Sequence, residues 1–529
     1  MSQELEFLSR HVAVGKLSRR DFLGRAAALG VSAAFANTLL GSAALAQGPV
    51  KGGILKAGMQ GGEATNNLDP ATFLSQVPFS FGKCWGEYLL ALKPDGTIEN
   101  RIAEEVNASA DAKEWTFKIR DGVEFHNGKT VSAEDVLATL ERHSNEESKS
   151  GALGIMKGIE SMKVDGKNVV VTLTQPNADL PYLMTDYHLI VQPNGGKDDP
   201  TAGISAGPYK VTVNEPGVRA GGERFANYWM GDKVGHADQI EIIVINDATA
   251  RTSALQGGQV HMINRVEPKI VDLVKRVPGV TIRNVSGPGH YVFIAHCNTA
   301  PFDNLDLRLA LKYAMNREEM LDKILRGYGS VGNDFPINAA YPLYSNDIEQ
   351  RAYDPDKAAF HFKKSGHDGA ILLRTSDVAF PGAVDAAQLY QQSCAKAGIT
   401  VEIKREPGDG YWSEVWNKQP FSTSYWGGRP TQDQMYSTAY LSTADWNDTR
   451  FLRPDFDKLI IAARGELDDT KRKAMYRDAA VMVRDEGGVI LPMFNDFIDA
   501  SSDKIGGWES HPSGEMMDGY ALAKCWLAA

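Results

Sequence analysis

Cysteine is scarce in this sequence: Cys84, Cys297, Cys394 and Cys525 are the four among 529 residues, and they stand far apart. Such a chain is not built on a disulfide framework. An oxidising compartment would permit pairing, and four cysteines admit three complete connectivities, among which the spacing does not choose. Neither C-x-x-C nor H-E-x-x-H occurs, and His361 and His367 have no carboxylate cluster beside them. No metal and no cofactor is therefore expected. A P-loop is missing too, so the chain itself does not hydrolyse ATP by that route. Positive charge is also short: 56 Lys+Arg face 67 Asp+Glu, a formal net charge of −11. That field repels nucleic acid and anionic membrane surfaces. Long apolar runs are absent except near the N-terminus, where the run is rich in Ala and Gly rather than Leu.

What is present is a large globular chain, 43% hydrophobic, long enough for two to four domains. At its start, Ser18-Arg19-Arg20-Asp21-Phe22-Leu23 precedes a weakly apolar run ending Ala44-Leu45-Ala46. This resembles a twin-arginine signal peptide over 1–46, with cleavage before Gln47. Gly24 stands where a lysine is often found. No cysteine follows the cleavage site, which argues against a lipid anchor.

Beyond the signal, strand and helix patterns alternate. A strand over 54–59 opens at Gly61-Gly62 into a loop, a common place for an α/β cleft to begin. Gln60, Gly61 and Glu63 are accordingly candidate ligand contacts. Residues 114–120 alternate apolar and polar side chains, as a half-buried strand does. Ser132 with Asp135 predicts a capped helix start. Further strands are expected over 168–174, 209–216, 224–229 and 239–245, and a helix over 247–257. The pattern also predicts one long helix over 305–325 and another over 354–366. A βαβ unit follows from 370–375, 383–397 and 400–406. Helices over 455–465 and 468–486 lead to a last strand, 489–494. The Pro- and Gly-rich stretch 192–208 reads as a domain crossing.

The stretch 421–440, FSTSYWGGRPTQDQMYSTAY, is the candidate site. Tyr425 and Trp426 supply flat apolar walls, Gly427 and Gly428 allow close backbone approach, and Pro430 stiffens the loop. Arg429 offers a planar guanidinium that matches a carboxylate in two parallel hydrogen bonds. Asp433 either orients Arg429 or itself holds an amine. Trp412 and Trp416 either stack on a ligand or form a packed helix face.

Several phrases together resemble the solute-binding proteins of bacterial peptide ABC importers, the dipeptide and oligopeptide-binding family. They are residues 88–140, with Asp-Gly, Trp-Thr-Phe, Arg-Asp-Gly-Val, Phe-His and Ala-Glu-Asp-Val in order, then SAGPYKV (205–211), 224–263, 301–321 and 353–366. The resemblance implies an α/β, two-lobed periplasmic binding protein fold with an extra α/β domain on the first lobe. By landmark, lobe I comprises 47–86, 196–288 and 490–529, the extra domain 87–195, and lobe II 289–489. Chain crossings near Gly287-Pro288-Gly289 and Gly487-Gly488 would form the hinge. In peptide-binding relatives an acidic residue of the aromatic loop holds the peptide ammonium group. Arg429 stands at that position here, which reverses the charge and points to a carboxylate, phosphate or similar anion. Asn298 and Tyr344 are further cleft candidates. Arg265 is either a second cation or solvated.

The function so implied is that of a monomeric periplasmic receptor, not an enzyme. It would capture a peptide or peptide-like solute and deliver it to an inner-membrane permease with its ATPase subunits. The alternatives are a non-peptide anion or zwitterion as ligand, such as an opine, modified amino acid or glycoside, and a serine hydrolase using Ser205. The latter rests on G-x-S-x-G at 203–207, which here precedes an alternating strand pattern rather than a helix. His126 and His261 read as solvated or structural.

Overall fold

The computed structural model describes Asp21, Phe22, Arg25 and residues 48–528 except 146, 148 and 467. The expected export signal thus lies outside the described residues apart from those three. No helix among the described residues is long and apolar enough to cross a membrane.

Local signals translate directly into elements. Ser132 Oγ accepts from Asp135 N while the Asp135 carboxylate accepts from Ser132 N, a reciprocal cap on Ala133–Ser144. Asp247 caps Ala248–Gln256, and Asp354 caps Pro355–Ser365. Ile371–Thr375 runs parallel to Val401–Arg405 through the helix Ala383–Lys396, the expected βαβ unit.

Three elements differ. The helix expected over 305–325 stops at Tyr313, because Asn316 caps a new one at Arg317–Met320 and a wide turn, Leu321–Leu325, follows. The strand expected over 224–229 lies earlier, at Arg219–Arg224. The last strand does not end at Phe494 but continues to Ser502, through Asn495, Asp496 and Asp499.

That continuation organises the molecule. Val280–Ala295 and Val489–Ser502 pair antiparallel along most of their length, in a sheet of eleven strands among the described residues. On one side, residues 280–286 and 496–502 lie among Met262–Ile263, Ile54–Met59 and Gln239–Val244. On the other, 290–295 and 489–494 lie beside Phe421–Trp426 and Ile371–Thr375. The register shifts between Ser286 and His290, where Pro288 removes a ladder donor. A Cβ on Gly287 would sit 2.0 Å from Pro512 O. The change of neighbours therefore falls at 287–289 and 495–496. Gly487–Gly488 stands instead where the helix Asp469–Glu486 meets the second strand.

The apolar side chains collect in separate cores, as two lobes with an extra domain require. One holds Phe293, Leu311, Tyr390 and Leu491, another Leu55, Trp85, Ile240 and Leu522. A third, with Phe117, Val136 and Val171, backs a four-stranded antiparallel sheet of the extra domain. All four cysteines are free, and three are buried.

Candidate ligand-binding site

Phe421–Trp426 pairs with the first crossing strand, Trp426 opposite His290, so it ends at the first chain crossing. Gly428 then has φ +81°, and a Cβ there would approach Pro288 Cγ to 2.4 Å. A side chain is thus excluded where the loop rests on Pro288. Thr431 accepts from Gln434 N and starts the helix Gln432–Ala439. Arg429 is held between the chain crossing and the helix. Its N–H donates to the Tyr341 hydroxyl at 3.0 Å and its Nη1 to Gly428 O at 2.7 Å. Its Nε is buried with no hydrogen-bond partner among the described residues.

The loop faces a cavity that is partly open to solvent. Its walls are aromatic: Trp412, Trp416, Tyr425, Trp426 and Trp446 from one lobe, Phe79 and Tyr187 opposite. A second chamber, lined by Asp179, Tyr182, Pro342, Arg472 and Tyr476, lies beyond. Leu92, Arg429, Pro430 and Ser513 belong to both.

Charge on the cavity wall is divided between engaged and available groups. Asp186 is buried, which opposes its ionisation, but His188 at 2.6 Å and Arg429 hold its pKa at about 2. Glu515 accepts from Arg265 Nε at 2.6 Å and Asn264 Nδ2 at 2.8 Å. Lys83 is buried too, yet Tyr520, Asp518 and Asp186 outweigh that penalty and raise its pKa, so it stays an ammonium. Asp518 forms no ion pair with any described residue. Lys83 is packed over the Tyr88 and Tyr520 rings, which leaves Arg429, facing Asp186, and Asp518, facing Lys83, as the cavity charges without an ion pair among the described residues.

A family model for bacterial extracellular solute-binding proteins, family 5 (middle), matches residues 97–448. The chain belongs to that family. This solute-binding protein is 23% identical to the dipeptide-binding protein of Escherichia coli K12 over 455 residues, 78% of this chain and 84% of that one. Its fold is similar to that of DppA from Helicobacter pylori, solved with peptide STSA (TM-score 0.82, 20% identity, 91% of this chain and 99% of that one). It is equally similar to AgaA from A. tumefaciens R10, solved with agropinic acid (TM-score 0.83, 22% identity, 90% and 99%).

The cavity of this solute-binding protein brings together Trp412, Tyr425, Trp426, Gly427, Gly428 and Arg429, with Trp416 beside them. Other expected contacts lie elsewhere. Asp433 is fully buried and accepts both bonds from Arg464 Nε at 3.0 Å, because the helix starting at Gln432 turns it away from Arg429. It neither orients Arg429 nor faces the cavity. Gln60 and Glu63 reach across to the opposite lobe: Gln60 Nε2 donates to Asp377 O, and Glu63 Oε1 accepts from Trp412 N, both at 2.9 Å. Gly61 packs on Gln76, off the cavity wall. Gln60 and Glu63 thus fasten the lobes together. Asn298 is exposed beyond the first crossing strand; at ~3.3 Å per residue that is roughly 30 Å from Pro288. Tyr344 packs on the larger core, outside the cavity lining. Arg265 is not solvated: its guanidinium lies 4.2 Å from the Tyr425 ring centre, and it joins Glu515 of one lobe to the other.

Asp186, Tyr187, Glu515 and Asp518 were missed by sequence reasoning. The signal for the last two was two acids spaced between glycines, Gly514-Glu515-Met516-Met517-Asp518-Gly519. Met516, Met517 and Asp518 all have positive φ (53°, 60° and 55°). Each costs about 1–2 kcal/mol; burial of both methionines in a lobe core offsets the strain, and the turn puts both carboxylates on the cavity wall.

Ser205 is fully buried. Its Oγ donates to Val191 O at 2.6 Å and accepts from Glu87 N at 3.0 Å, joining the extra domain to the first lobe. No strand-to-helix elbow presents it. Ser205→Ala is expected to cost about 1–3 kcal/mol by leaving buried partners unsatisfied, and to leave solute affinity unchanged. Denaturant titration and calorimetric binding check this. With an activated ester, neither protein should show a burst.

Proposed function

We propose that this protein is the exported receptor of an ABC importer, capturing a peptide or peptide-like solute through an acid group held by Arg429. The twin-arginine signal would direct it across the inner membrane, and a permease with its ATPase subunits would receive the loaded, monomeric form in the periplasm. Lobe I would comprise 47–86, 196–288 and 496–529, lobe II 289–495, and the extra domain 87–195, with closure turning on the crossings at 287–289 and 495–496.

One observation carries the reading. A guanidinium with a buried donor lacking a partner stands beside the hinge, in a cavity walled by indoles. A bound carboxylate would supply that partner, and the lobes would remove it from water, where charge-assisted bonds gain strength. Asp518 is suited to an ammonium group on the same ligand, and the second chamber leaves room for a tail beyond Arg429. The dipeptide and peptide ligands of similar proteins support the peptide class. Agropinic acid, bound by one fold neighbour, makes a non-peptide acid the second reading, favoured by the reversed charge at Arg429.

Mass spectrometry of small molecules released from the freshly exported, denatured protein tests this. The expected finding is one dominant acid-bearing solute that rebinds stoichiometrically. Stoichiometric recovery of a solute with no acid group would overturn it.

A further inference from the structure

Two of the cavity's indoles are tied to one carboxylate that the cavity does not expose. Trp416 Nε1 and Trp426 Nε1 both donate to Asp448 Oδ2, at 3.0 and 3.1 Å. Asp448 is fully buried, and its Oδ1 has no hydrogen-bond partner among the described residues. Its N–H donates to Trp446 O at 2.7 Å, so the same residue also ties down the segment bearing the third indole. The three rings contact one another: Trp416 lies 5.5 Å from Trp446 at 87°, Trp426 lies 5.9 Å from Trp446 at 60°, and Trp416 lies 6.3 Å from Trp426 at 69°.

We propose that Asp448 is a positioning residue that fixes the indole wall of the cavity and loosens it on protonation. The inference rests on this cavity being the solute site. An indole has one donor and no acceptor, so its ring plane is fixed once that donor is engaged. A shared carboxylate oxygen sets both planes together. An ionised acceptor forms the stronger bonds; a neutral acid grips both rings less firmly and places a hydroxyl where no acceptor lies.

Burial drives the Asp448 pKa up to about 7, against the two indole bonds and Arg450, which pull it down. Other groups face this region. Tyr440, which couples to Asp448, is held neutral by burial. His296, beside Arg450, is lowered to about 4 by burial. Cys297, whose N–H donates to Thr449 O at 2.8 Å, is raised by burial. The His188 ring lies 5.2 Å from Trp446, with Asp186 behind it.

The test uses the ligand-free exported chain labelled with 5-fluorotryptophan, which gives resonances from nine tryptophans. Those of residues 416 and 426 are assigned by Trp416→Phe and Trp426→Phe. Both should shift with one common midpoint near neutral pH, and Asp448→Asn should abolish the shift while Tyr187→Phe and His188→Gln leave it. In Trp426→Phe the Trp416 midpoint should rise by about one pH unit, since a bond to the carboxylate is lost. This last arm needs no substitution at Asp448 and holds even if that variant fails to fold. Different midpoints for the two rings, an unmoved Trp416 midpoint, or persistence of the shift in Asp448→Asn would overturn the proposal. Because no solute is added, failure here is distinct from failure of the proposed ligand class.

Discussion

Arg429→Ala is expected to weaken binding of the co-purified solute by roughly two to three orders of magnitude. A ligand carboxylate enclosed without its guanidinium is an unpaired buried charge, and breaking such a pair costs about 3–5 kcal/mol. The melting temperature of the ligand-free protein should fall modestly, because Arg429 helps keep the buried Asp186 ionised, while binding falls far more. In that state the guanidinium's hydrogen bond goes to its neighbour, Gly428 O, and its backbone bond to Tyr341 survives the substitution. Arg429→Lys should fall between the two, because an ammonium keeps the charge and loses the paired donors. Calorimetric titration of the three proteins measures the series, and an alanine variant with wild-type affinity would remove Arg429 from the site.

The second large effect concerns stability. Asp334 is fully buried; it receives Arg317 Nη2 at 2.6 Å, lies 3.0 Å from Arg351 Nε, and accepts from Leu491 N of the second crossing strand at 3.0 Å. Burial opposes its charge, but Arg317, Lys312 and Arg351 together hold its pKa below the ordinary value. Asp334→Ala leaves those cations packed against one another, at an expected cost of about 3–5 kcal/mol. The loss has a pH signature. Burial already depresses Lys312 to about 7, with Asp334 working against that depression. A lysine whose folded pKa lies below its unfolded value releases a proton on folding, so stability rises with pH between the two. Without Asp334 the folded pKa falls further, and the deficit should be smaller at pH 9 than at pH 6. A chain of several cores need not unfold in one step. Trp412, Trp416 and Trp426 share the Asp334 lobe core with Phe335, so their emission under urea reports the right transition.

Much of the architecture was legible because its signals are local. A serine and an aspartate three residues apart cap a helix wherever they fall, and an alternating run such as EWTFKI forms a strand. The loop from Tyr425 to Arg429 was legible for the same reason. Short range also explains the failures. Residues 305–325 carry one apolar stripe, yet Asn316 restarts the helix within it. Asn495, Asp496 and Asp499 read as the end of a strand, although the partner strand carries the ladder past them. Asp433 has the right spacing from Arg429 but the wrong helical face. The acids and aromatics opposite Arg429 come from residues 186–187 and 515–518, which converge through the fold with no signature in linear spacing.

The central claim is that Arg429 grips an acid group of the solute. Titrating the exported protein with its co-purified solute and with the methyl ester of that solute tests it most directly. The account predicts that the ester, which adds one methyl group and removes the negative charge, binds at least about a hundredfold more weakly to wild type and little differently from the free acid to Arg429→Ala. Equal affinity of acid and ester for the wild-type protein would contradict it.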